Sequence, residues 1–121
     1  MKIIIAGSRN LIVSDIMLNE LIIRFCNTQI TEVVCCHAYG IDGCGLDYAK
    51  KRNIKVANFP ANWDKYGKAA GPLRNEEMAK YSDELLLIWD GNSKGSRNMR
   101  NNMLKLKKPI YEVIINEINI S

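Results

Sequence analysis

Five short apolar runs punctuate this chain, and each of the first four leads through a polar, mostly glycine-bearing segment into a helical pattern. The runs are Lys2–Ala6, Thr31–Cys36, Ile54–Asn58, Glu84–Trp89 and Ile110–Ile115. Most are continuous rather than alternating, as expected of strands covered on both faces. Ser14 is placed to cap a first helix whose stripe is Ile16, Leu18, Leu21, Ile22 and Phe25, reaching about Asn27. A second helix carries Leu46, Tyr48 and Ala49 and ends in Lys50-Lys51-Arg52, cations that suit a helix C-terminus. A third is entered through Gly71-Pro72, with Pro at the first helical position and Arg74 and Asn75 in the first turn. Met78 and Tyr81 face the sheet from it. A fourth carries Met99, Met103 and Leu106 and is closed by Lys107, Lys108 and Pro109. Strands alternating with helices predict an α/β fold: a mainly parallel five-stranded sheet covered on both sides, with right-handed crossovers.

The 121 residues suit a single domain over 1–121, with enough chain for a true core. A net charge of +4 permits an anionic partner without demanding nucleic acid. Cys26, Cys35, Cys36 and Cys44 form no C-x-x-C pair, and the single His37 does not complete an ordinary zinc set, so no metal site is expected. The cysteines read as reduced, buried thiols of a cytoplasmic protein. The opening Met-Lys-Ile-Ile-Ile-Ala run is too short for a membrane span or a leader, so no membrane association is expected. The residues after the fifth run read as a frayed tail.

Ligands of open parallel sheets bind beyond the carboxyl ends of the strands, where the strand order reverses. The segments predicted there carry Arg9, Lys65, Lys68, Arg74, Lys94 and Arg97. Gly7-Ser8-Arg9 is a candidate cradle for phosphate or ribose, or a plain strand-to-helix turn. Arg74 and Asn75 suit charge-assisted bonds to an anion, or a salt bridge with helix capping. Trp63 and Tyr66 offer flat faces for a base or sugar, or pins that hold the loop. Ser93, Lys94, Gly95 and Ser96 resemble a second phosphate cradle, or an ordinary Ser-capped helix start. Asp42 is a ribose ligand, a base or the N-cap of the second helix, and Asp90 is similar. His37, the sole imidazole, is the first candidate for acid–base work, with Asp42 and Asp90 beside it.

Several motifs together are specific. Gly7-Ser8-Arg9, Gly40-Ile41-Asp42, the run Phe59-Pro60-Ala61-Asn62-Trp63 with Tyr66-Gly67-Lys68, Ala70-Gly71-Pro72 and Arg74-Asn75, then Asp90-Gly91 with Ser93-Lys94-Gly95-Ser96 and Met99, resemble the YspA/YpsA-related branch of the SLOG superfamily. Its relatives include DprA and the LOG enzymes. The resemblance spans nearly the whole chain and implies a Rossmann-like three-layer fold that binds nucleotides or nucleotide-derived ligands at the strand ends. Two departures stand out. Cys36-His37-Ala38-Tyr39 replaces the usual glycine-rich second loop, and the LOG motif PGG-x-GT with its catalytic Glu is absent.

The leading expectation is a binding module for a nucleotide or nucleotide-derived signal: ADP-ribose-like, NAD-derived or a cyclic nucleotide. It would act as a sensor, or as a phage-type sponge removing a defence signal, in a bacterial or phage-infected cell. The second is a nucleotide hydrolase cleaving an N-glycosidic or phosphate bond. DprA-like binding of single-stranded nucleic acid ranks last, because aromatics are few and the charge excess is modest. No cofactor is required beyond the nucleotide-type ligand. A homo-oligomer is expected.

Overall fold

The computed structural model describes residues 1–26, 29–36 and 39–115. In chain order the elements are β1 (Lys2–Gly7), α1 (Asp15–Phe25), β2 (Glu32–Cys35), α2 (Gly40–Lys51), β3 (Lys55–Asn58), α3 (Trp63–Tyr66), a 3-10 turn (Gly67–Ala69), α4 (Ala70–Tyr81), β4 (Glu84–Trp89), α5 (Lys94–Lys105) and β5 (Ile110–Ile114). The strands form one sheet in the order β3-β2-β1-β4-β5, and every pairing is parallel. The architecture is the expected Rossmann-like three-layer α/β fold.

The central strands show why their sequences are apolar throughout. Ile3 and Ile5 point into one core cluster with Leu86, Ile88 and residues of α1 and α2. Ile4 and Ala6 point into the other with Leu85, Leu87, Trp89, Met78 of α4, and Met99 and Met103 of α5. Alternate side chains thus serve opposite cores, and neither parity is free to be polar. Ser14 caps α1 as expected, accepting from the Met17 amide at 3.1 Å.

Four local expectations change. The segment after β3 is not one long loop: it holds α3, capped by Asn62, and a 3-10 turn that runs straight into α4. Pro72 is therefore the third residue of α4, and Arg74 and Asn75 lie in its second turn. Ile16 is 73% exposed rather than part of the α1 core stripe, and Leu106 is also exposed. The cations at the end of α2 do more than suit a helix C-terminus: Arg52 grips Asp15 through two nitrogens at 2.9 and 3.0 Å and stacks on the Tyr48 ring. Asn27 and the predicted tail beyond Ile115 lie outside the described residues.

Candidate functional site

The strand order reverses between β1 and β4, so their following loops diverge and leave a hollow at the carboxyl edge. A cavity of about 310 Å³ lies there. Its position depends first on Gly7. A β-carbon at that position would stand 1.7 Å from the Ile88 carbonyl oxygen, so only glycine lets β1 end against β4. Ser8 then joins the two loops: its amide donates to the Ile88 carbonyl (3.2 Å), and its hydroxyl accepts from the Asp90 amide (3.1 Å).

The Asp90 carboxylate accepts from the amides of Asn92 (2.8 Å) and Ser93 (3.2 Å). These amides, more than the Ser8 hydroxyl, hold its pKa below the usual aspartate value. Asp90 thus shapes the turn into α5. Ser93 caps that helix, accepting from the Ser96 amide at 3.3 Å, so the positive end of the α5 dipole faces the hollow.

The opposite wall comes from α4. Asn75 is 5% exposed, and its side-chain oxygen accepts from Nε and Nη2 of Arg74, both at 3.3 Å. Its amide nitrogen donates to Asn98 Oδ1 (3.0 Å) and the Gly95 carbonyl (3.3 Å). One side chain therefore orients the Arg74 guanidinium and ties α4 to the first turn of α5. Met78 and Met99 form an apolar part of the wall.

Asp42 is 2% exposed and does not cap α2, whose N-cap position is Tyr39. One carboxylate oxygen accepts from the Gly7 amide (3.3 Å), the other from the Cys36 thiol (2.9 Å). Asp42 thus clamps the ends of β1 and β2 at the cavity wall. Burial, reinforced by the Asp42 charge, pushes the Cys36 thiol far above its ordinary pKa, which keeps it protonated as a donor.

The cavity gathers Gly7, Ser8, Arg9, Asp42, Arg74, Asn75, Asp90, Ser93, Gly95 and Ser96 of the sequence candidates. Gly40 lies behind the wall: its φ is +62°, and a β-carbon there would stand 2.6 Å from the Arg9 Cα. Lys94, Gly71 and Pro72 are not on the wall, and the anion-ready helix start is that of α5 rather than α4. Trp63, Tyr66 and Lys68 are exposed on α3 and the 3-10 turn, and a β-carbon at Gly71 would stand 3.5 Å from the Trp63 Cη2. His37 lies outside the described residues.

Sequence reasoning missed Ala6, Asn10, Cys36, Met78 and Met99 as wall residues. Cys36 and the two Met read as core, although strand parity does align Ala6 with the Met78 and Met99 side of the sheet. Among the described residues, no His, Cys, Asp or Glu group suits a metal ion, and no helix is long and apolar enough to cross a membrane.

Fold and site together define a Rossmann-like α/β domain with a cation-lined cavity at its switch point. No family model matches the chain, and neither a curated protein nor a solved structure matches it.

Proposed function

We propose that this cavity captures a phosphorylated, nucleotide-derived small molecule, as expected of a SLOG-type sensor or sponge. The observation that carries the reading is the convergence of Arg9, Arg74 and the N-terminal turn of α5 on one hollow at the sheet edge. A phosphate fits between the guanidinium groups and that turn, where each charge-assisted bond contributes about 1.5–3 kcal/mol.

Binding is favoured over hydrolysis by how the acids are used. Both Asp42 oxygens already accept bonds, and Asp90 is held ionised by the amides of its own turn. Asp90, ionised in this way, is not arranged as a proton donor near neutral pH.

Calorimetry against AMP, ADP-ribose, cyclic ADP-ribose isomers and NAD tests the proposal. Saturable binding of at least one is expected, weakened about tenfold or more by Arg74→Ala. Failure of all four to bind would remove the reading. Chromatography of the recovered ligand should show it intact, and a released base would favour the hydrolase instead. The proposal extends to a cytoplasmic homo-oligomer, and light scattering at micromolar concentration checks the assembly.

A further inference from the structure

The sheet ends in two unlike edges. On one side β3 is four residues long, carries the exposed Lys55 and runs into Pro60, features that discourage pairing with another strand. On the other side β5 lies last in the strand order, and Ile110–Ile114 holds neither proline nor lysine. Its one charged residue, Glu112, is turned back onto its own chain. The carboxylate accepts from Arg100 Nε at 2.9 Å and from Trp89 Nε1 at 2.8 Å. Ile114 is 64% exposed.

The backbone along this edge has a definite polarity. The Leu85 amide donates to the Pro109 carbonyl at 3.1 Å, and the Ile115 amide donates to the Trp89 carbonyl at 2.9 Å. In a parallel ladder alternate residues bond the same neighbour, so the odd-numbered residues of β5 turn to β4. The amides and carbonyls of Ile110, Glu112 and Ile114 therefore point away from the sheet. Along that outward row the order is Ile-Glu-Ile, the same in both directions.

Resting on the homo-oligomer part of the reading above, we propose that β5 pairs antiparallel with β5 of a second copy, about a two-fold axis at Glu112. Ile110 then stands opposite the partner's Ile114, and Glu112 opposite the partner's Glu112, so every outward amide and carbonyl of the strand is bonded. Like charges set opposite each other repel, but each Glu112 is already offset by its own Arg100. The guarded β3 edge stops further addition, so assembly closes at a dimer instead of growing into a ribbon. Across an antiparallel junction the carboxyl edges of the two sheets open at opposite ends. Each copy therefore keeps a whole cavity of its own, and the dimer takes one ligand per chain.

Sedimentation of the full chain at micromolar concentration should show a dimer, with slow hydrogen exchange at the Ile110, Glu112 and Ile114 amides. Ile114→Pro removes one outward donor per copy, and Ile114→Lys sets a charge against the partner's Ile110; neither removes a bond to β4. Each should raise the dimer dissociation constant about tenfold or more and speed exchange at Ile110 and Glu112, while the amides of β1 and β4 stay slow. Ile16→Lys, at an exposed isoleucine of α1, should leave the dimer intact. A monomeric wild type, fast exchange of the outward amides in the dimer, a dimer unmoved by both Ile114 variants, or a dimer lost in Ile16→Lys overturns the β5 pairing. Calorimetry with AMP is scored apart. One AMP per chain is expected, one per two chains overturns the antiparallel junction, and no binding counts against the cavity reading while leaving the β5 pairing in place.

Discussion

Two regions at the carboxyl edge of the sheet, one of them made of two loops, look alike in composition and behave differently in the structure. The β1 and β4 loops with the residues flanking them (Gly7, Arg9; Gly91, Lys94), and the stretch between β3 and α4 (Lys65, Gly67, Lys68), each carry glycine and a cation. The first pair is joined across the molecule: Ser8 to Ile88, Asp90 to Ser8, Asp42 to Gly7. In the stretch after β3 only Phe59 reaches across among the described residues, its amide donating to the Cys35 carbonyl and its ring meeting Tyr81; from Asn62 on the hydrogen bonds are local, Asn62 holding the Lys65 and Tyr66 amides, and residues 62–69 are all exposed. The aromatic part of the richer motif, Trp63 to Lys68, therefore lies off the cavity wall, whereas its Arg74-Asn75 end and the plainer Gly-Ser-Arg turn are on it. Density of suggestive residues marks a region; bonds between distant segments mark the place where a ligand can be held in fixed geometry.

The sharpest way to break this contrast is at its glycines. Gly7→Ala drives a β-carbon into the Ile88 carbonyl and should cost about 3 kcal/mol or more, read as a shifted urea midpoint. Gly67→Ala meets no atom and carries only the strain of its backbone, φ 54° with ψ −130°, so about 1–3 kcal/mol is expected. Equal losses would erase the distinction between the two regions.

Asn75→Ala comes next. It removes the tie between α4 and α5 and leaves Arg74 unanchored, so about 1–3 kcal/mol of stability should go. AMP affinity should fall alongside. An unchanged urea midpoint would show that α4 and α5 are held by packing alone.

The smallest effect belongs to Asp90. Its pKa is lower folded than unfolded, so its stabilisation is fully present above the ordinary aspartate value and fades as pH falls through the lowered one. Wild type should be more stable than Asp90→Asn at neutral pH, and the gap should close in acid, measured by urea melts across that range. A gap that ignores pH would place the effect in the loop's shape rather than in the charge.

Much of the fold was legible because the central strands are buried on both faces, which writes Ile3–Ala6 and Leu85–Trp89 as unbroken apolar text. Ser14 was legible because capping is a local bond. Asp42 was not. An aspartate near a helix start reads as a cap, whereas its partner amide on Gly7 is 35 residues away and becomes visible only when β1 and β2 lie side by side. Helix α3 was hidden because its four residues are exposed and carry no apolar period. Ile16 fits the helical spacing, yet that spacing cannot tell the inner edge of a stripe from the outer one.

The central position of β1 has a consequence for biosynthesis. Ile4 pairs with Val34 on one side and with Leu85 on the other, and a ribosome delivers Val34 long before Leu85. Until β4 emerges, the most apolar strand of the nascent polypeptide keeps one open edge, the kind that recruits stray strands. A chain interrupted before Glu84 would then be a natural client for chaperones and proteases, with its cavity still half-built.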